Sequence, residues 1–181
     1  MKNSFYGWYL KCQSETQTLA VIPAFHQGDK GRSCSIQVIT GEASWRLSYP
    51  DSEFYHTGSS MLIGKNYFYK RGMKLAIQRP DLCIEGELVF GELTPPGYDV
   101  MGPLAYVPFL ECRHMVWSMN HPVWGTIRIN GKEYCFHRAR GRMTRRIQES
   151  VEGRAFYRFR KGEKILFAFE TNRASFEYEY A

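Results

Sequence analysis

No apolar run in this 181-residue chain exceeds a few residues, so nothing in it matches the roughly twenty apolar residues of a bilayer-spanning helix. The start, Met1-Lys2-Asn3-Ser4-Phe5, lacks the apolar stretch and cleavage site of a secretory signal, so the expected location is cytoplasmic. Familiar catalytic frameworks are missing too. There is no GxSxG, no Gly-rich loop with GK[ST], no HExxH and no GxGxxG, which removes the common hydrolase, nucleotide and zinc-protease readings. The five cysteines (Cys12, Cys34, Cys83, Cys112, Cys135) are odd in number and form no CxxC pair, so they read as reduced, mostly buried thiols. The five histidines never recur at i,i+2 or i,i+4. No metal site and no cofactor are expected.

A net charge of +6 suggests nucleic acid until it is divided along the chain. Ten basic and three acidic residues fall between 138 and 164, whereas 1–137 hold 13 basic and 12 acidic. The excess is therefore one local cluster, read as a solvated connection, and no nucleic-acid partner is expected.

What the chain does have is aromatic surface, 15% of its residues, and period-two alternation in short runs. Met73, Leu75 and Ile77 alternate with Lys74 and Gln78; Leu82, Ile84, Leu88 and Phe90 alternate with Glu85 and Glu87; Phe176, Tyr178 and Tyr180 do the same near the end. Such runs are half-buried strands. Further strands are expected at 5–12, 18–25, 33–40, 45–49, 104–110, 113–119, 123–129, 133–137, 154–160 and 164–171. Asn130-Gly131 predicts a two-residue hairpin turn, and Lys161-Gly162-Glu163 a second hairpin. Helical spacing occurs only at Met143 to Ser150. A meander of this many short strands avoids two exposed edges by closing, so the expected fold is all-β, an antiparallel lipocalin-like barrel or strongly curved sheet around one main core.

Two segments mix aromatics and ionisable groups more densely than a structural strand needs. One is Phe5-Tyr6-Gly7-Trp8-Tyr9-Leu10-Lys11, whose plain reading is a first strand plugging the barrel. The other is Met101 to His114, where Glu111, Arg113 and His114 interrupt an apolar stretch. On a regular strand Glu111 and Arg113 share a face and form an ion pair, and His114 points the other way. Alternatively, Glu111 against aromatic walls is a carboxylic acid with a raised pKa, able to donate a proton to a ligand.

These segments carry a resemblance. Phe5 to Lys11, Leu19-Ala20-Val21-Ile22-Pro23, Met101-Gly102-Pro103, Val107 to His114 and Ser118-Met119 resemble the tocopherol cyclase family in order and spacing, and Arg154 to Tyr180 resembles the C-terminus of its bacterial members. Between them the family has a long second section, whereas this chain passes through Ala139-Arg140-Gly141-Arg142-Met143 directly to the tail. The resemblance thus divides the chain into a lipocalin-like part at 1–141 and C-terminal strands at 142–181, a hairpin left from a second barrel. It implies vitamin E-type chemistry: protonation of an alkene and capture of the tertiary cation by a phenol oxygen. The ligand is an isoprenoid or prenylated quinol. Within it, Glu111 is the candidate acid, His114 its proton partner, and Tyr6, Trp8, Tyr9, Tyr106 and Arg113 the candidate substrate-binding residues. Two other readings stay open: a non-catalytic lipocalin-like binder of an apolar ligand, and a shortened chain that needs a partner to cover an open edge.

Overall fold

Eleven consecutive strands run antiparallel to their neighbours: β1 (Ser4–Gln13), β2 (Thr18–Gly28), β3 (Gly31–Thr40), β4 (Ser44–Pro50), β5 (Phe54–His56), β6 (Ser60–Ile63), β7 (Asn66–Tyr69), β8 (Gly72–Arg79), β9 (Leu82–Phe90), β10 (Cys112–Ile129) and β11 (Lys132–Gln148). The structure, a computed structural model, describes residues 4–28, 31–106, 112–148, 155–161 and 164–171. Contacts divide the chain into Met1–Ser150 and Val151–Ala181.

In the first unit the order is β4-β3-β2-β1-β11-β10-β9-β8-β7-β6-β5. The first strand therefore pairs with the last, from Phe5 opposite Gln148 to Gln13 opposite Arg140. The sheet is broken only between β4 and β5, and there the chain itself crosses the gap through a 3-10 turn, Asp51–Glu53. The Gly64 N–H donates to the Glu53 carbonyl at 3.0 Å, and Asn66 Nδ2 donates to the Tyr49 hydroxyl at 3.4 Å, tying the two margins of the break. The result is a nearly closed, lipocalin-like antiparallel barrel.

Alternation decides the faces. On β8 and β9 the expected apolar rows are buried, while Lys74, Gln78, Glu85 and Glu87 are exposed. The core continues through Leu10, Val21, Ile36, Val38, Phe68, Ile127 and Phe136. Closure needs bending, and two glycines supply it. A Cβ on Gly86 would strike the Thr126 carbonyl oxygen, and one on Gly125 would strike that of Glu87, so β9 and β10 approach where no side chain could fit. The Asn130-Gly131 turn forms as predicted, with φ of 47° and 83°. Asn130 adds two bonds, accepting from Cys83 N–H at 2.8 Å and donating to the Asp81 carbonyl at 3.2 Å.

That turn sits at the stitched end of the barrel. Beyond Gln13, β1 leaves β11, and the Gln17 amide replaces the ladder by donating to the Glu133 carbonyl and accepting from Cys135 N–H, both at 3.0 Å. Lys132 bridges to Glu42 in the β3–β4 turn.

Several expectations are corrected. Residues 104–106 belong to a 3-10 turn, Gly102–Tyr106, not to a strand; 107–110 lie outside the described residues. No helical turn forms at Met143: β11 continues to Gln148, held by partners on both sides. The basic cluster is, up to that point, the barrel-closing strand, not a connection. Of the four thiols described, Cys12 and Cys34 are buried as expected, while Cys83 and Cys135 are exposed. The short strands β5, β6 and β7 carry no recognisable period, being three or four residues long. In the second unit β12 (Ala155–Lys161) and β13 (Lys164–Thr171) form the expected hairpin. The strand expected near Phe176 lies outside the described residues.

Candidate functional site: an aromatic cluster at the open end

At the end opposite the stitched turns, aromatic side chains from four strands converge. On β1 the inward positions are Tyr6, Trp8, Leu10 and Cys12; Trp8 is 1% exposed, and Tyr6 is half-buried against the same core. The Trp8 indole N–H donates to the Tyr6 hydroxyl at 3.0 Å, which leaves the phenol proton available to another acceptor. Trp8 meets Trp117 of β10 edge to face at 5.0 Å, and Tyr6 meets His56 of β5 at 4.6 Å. Phe54 of β5 stacks between His56 at 5.6 Å and Phe25 of β2 at 4.7 Å. Because β5 lies across the break from β4, Phe25, Phe54 and His56 join parts of the sheet that no ladder connects.

The cluster is bordered by cations. Lys70 Nζ lies 5.1 Å over the Trp117 ring, and Arg32 5.3 Å over Phe25. On the opposite face of β2, in the row of Phe5, His26 is edge-on to that ring and shares a 3.2 Å hydrogen bond with Ser35 Oγ, and burial, helped by the charge of Arg46, lowers its pKa. Such an arrangement offers flat apolar walls that stack against planar or unsaturated groups and tolerate a nearby cation.

Deeper in the barrel sits a residue that the sequence did not single out. His121 is 1% exposed, packs against Phe90 at 4.8 Å, and neither ring nitrogen has a hydrogen-bond partner. Its Nε2 occupies the space where a side chain at position 141 would begin, so Gly141 is what admits the ring. Burial holds the imidazole neutral, its pKa pushed down to about 4. Cys12 lies in the same register row, across Gly141, and burial pushes its thiol up to about 12.

Among the described residues expected at the site, Tyr6 and Trp8 alone join the cluster. Tyr9 alternates to the outer face, and Tyr106 is 89% exposed in its 3-10 turn. Arg113 is exposed, in the row of Ile147 and Tyr6; His114 is one row on, with Arg146 and Gly7. Successive rows face opposite sides of a sheet, so His114 is directed away from the side that Tyr6 occupies. Glu111 lies outside the described residues. Phe25, Phe54, His56 and Trp117 were missed because they assemble only when β1, β2, β5 and β10 curl together. Among the described residues no cluster of His, Cys, Asp and Glu could hold a metal ion, and no helix is long and apolar enough to cross a membrane.

A separate cleft of about 370 Å³ opens at the break in the barrel, beside Tyr49, Glu53, Lys65, Asn66, Arg79 and Glu85. Its charged lining does not match an apolar ligand.

No family model and no curated protein matches the chain. The solved structures similar to it include two of low identity. One is a Nitrosomonas europaea protein, NE1406, described as AttH, at 10% identity and a TM-score of 0.49, covering 94% of this chain and 64% of that one. The other is CghA, solved with Sch210972, at 12% identity and a TM-score of 0.49, covering 82% of this chain and 47% of that one. The chain thus spans less than two thirds of the length of either.

Proposed function

We propose that this chain is a tocopherol cyclase-like barrel that takes an isoprenoid or prenylated quinol at its aromatic end. The observation that carries the reading is the inward convergence of Tyr6, Trp8, Phe25, Phe54 and Trp117 from four strands of one barrel. Aromatic faces there would receive an unsaturated chain, and the Tyr6 hydroxyl would meet a ligand oxygen. In the cyclisation, Glu111 as the neutral acid would give its proton to the alkene, the phenol oxygen of the ligand would close on the tertiary cation, and the phenol proton would return to the carboxylate. Every bond and proton is then accounted for without a cofactor. The hairpin of β12 and β13 would be what remains of a second barrel, and the protein would work in the cytoplasm.

A second reading, a binder without chemistry, is favoured by one particular observation. His114, the expected proton partner, lies in the row facing away from Tyr6. Native mass spectrometry of gently purified protein tests the shared premise: a stoichiometric isoprenoid or quinone supports it, whereas an empty protein that also fails to bind added prenylated quinol refutes it. Glu111→Gln then separates the two readings. Loss of about a hundredfold or more in turnover with binding retained supports the acid; binding without turnover in either form leaves the binder.

A further inference from the structure

The outer wall of the barrel carries a feature that an apolar interior does not require. Tyr69, Gly72, Val89, Trp124 and His137 are directly opposite one another on β7, β8, β9, β10 and β11, forming one continuous row. Their neighbours Phe68, Met73, Leu88, Phe90, Val123 and Phe136 are the buried ones, so this row faces outward. Yet it is apolar. Val89 is 46% exposed and Trp124 37%, and Tyr69 folds its ring over Gly72, where a Cβ would come within 2.8 Å of the phenol oxygen. Tyr67, 43% exposed, stacks on Tyr69 at 5.2 Å and extends the band.

Charges along the same wall are sorted. Towards the stitched end, Arg128 is paired with both Glu85 and Glu133. Around the apolar row, the exposed cations Arg71, Arg138 and Arg140 have no carboxylate within ion-pair distance among the described residues. The nearest acid on β9, Glu87, is opposite Lys74 and accepts from the Tyr69 hydroxyl at 3.3 Å. Unpaired cations bordering an exposed Trp, Tyr and Val band match a bilayer interface, where aromatic rings settle at headgroup level and arginines meet anionic lipid.

We propose that this outer wall, centred on Trp124 and bordered by Arg71, Arg138 and Arg140, is a docking surface for an anionic lipid bilayer. The chain lies on such a surface and does not cross it. This inference rests on the wall alone and holds whatever the barrel contains.

The test is cosedimentation of the full chain with vesicles of phosphatidylcholine alone and of equal parts phosphatidylcholine and phosphatidylglycerol. Binding to the mixed vesicles, little to the neutral ones, and weakening by added salt are expected. Each cation near the surface contributes about fivefold in partitioning, so Arg71→Glu with Arg140→Glu should reduce binding by at least about twenty-five-fold. Trp124→Ser should reduce it at any salt concentration. A variant counts only if its thermal unfolding transition matches that of the parent, and Lys65→Glu, outside the band, is the control that should bind as the parent does. Equal binding to both vesicle types, or no loss in the wall variants, overturns the proposal. So does concentration-dependent dimerisation in solution that the Trp124→Ser change abolishes, because the wall would then be a contact between copies.

Discussion

Acidification should unfold this barrel earlier than an ordinary surface histidine would allow, and His121 is the reason. A histidine whose folded pKa lies below its unfolded value binds fewer protons in the native state, so stability is fully present above the unfolded pKa and falls as pH drops towards the folded one. For His121 the window runs from the ordinary 6.5 down to about 4. At about 1.4 kcal/mol per pH unit, the whole descent is worth about 3 kcal/mol, a large part of the stability of a typical domain. Urea denaturation measured at several pH values between 8 and 4 gives the curve for the parent and for His121→Leu. The variant removes the titrating ring and both unpartnered nitrogens, so it should equal or exceed the parent near pH 8. Its advantage should then widen by about 3 kcal/mol as pH approaches 4. His26 titrates in the same direction and remains in both proteins, so it cancels in the difference. Two stability curves that stay parallel over the window would refute the assignment of a desolvated, unpaired imidazole.

The stitched end gives two further tests. Asn130→Ala removes a side chain that bridges Cys83 and Asp81 and places a Cβ residue at a φ of 47°; urea denaturation should show a loss of about 1–3 kcal/mol, with Asn130→Gly recovering the backbone part only. Gln17→Ala removes the amide that replaces the ladder between β1 and β11, and amide exchange at Cys135 should accelerate while exchange in the Tyr6–Lys11 stretch of β1 stays slow. Thiol reactivity checks the inside and outside of the barrel: at neutral pH a maleimide should modify Cys83 and Cys135 quickly in the native protein and reach Cys12, buried with its pKa near 12, only on unfolding.

The long strands were legible because each is a row of local decisions. Met73, Leu75 and Ile77 are apolar and their neighbours polar, and period two can put them only on one face of a strand. Asn130-Gly131 was legible for the same reason, since positive φ at two successive positions is a local demand. β5, β6 and β7 were not, because three or four residues cannot display a period and because buried Asn66 breaks the apolar pattern while donating to the Ile63 carbonyl and accepting from Ala76 N–H. The helical spacing of Met143 and Ile147 was misleading, since both positions lie in the β11 ladder, opposite Leu10 and Tyr6 of β1. The site was legible only in part. Tyr6 and Trp8 lie in one dense motif, but their partners Phe54, His56 and Trp117 are 46 to 111 residues away in sequence.

The two ends of the barrel differ because their connections differ. At the stitched end, four tight turns bring donors and acceptors to fixed positions, so Gln17, Asn130 and the Glu42–Lys132 pair can cross-link strands that have begun to diverge. Polar bonds of that kind are directional, and they leave no room for a ligand. At the other end no ladder joins β4 to β5, and besides the Gly64–Glu53 and Asn66–Tyr49 hydrogen bonds the two sides meet through rings, Phe25 on Phe54 and Tyr6 on His56. Ring contacts owe most of their strength to apolar burial, which is non-directional, and re-form against an apolar or aromatic surface of similar shape. Under the proposed function, the end whose strands are joined by stacking is therefore the one at which a ligand would replace a protein contact at little cost, the Phe25–Phe54 and Tyr6–His56 contacts being the ones to yield.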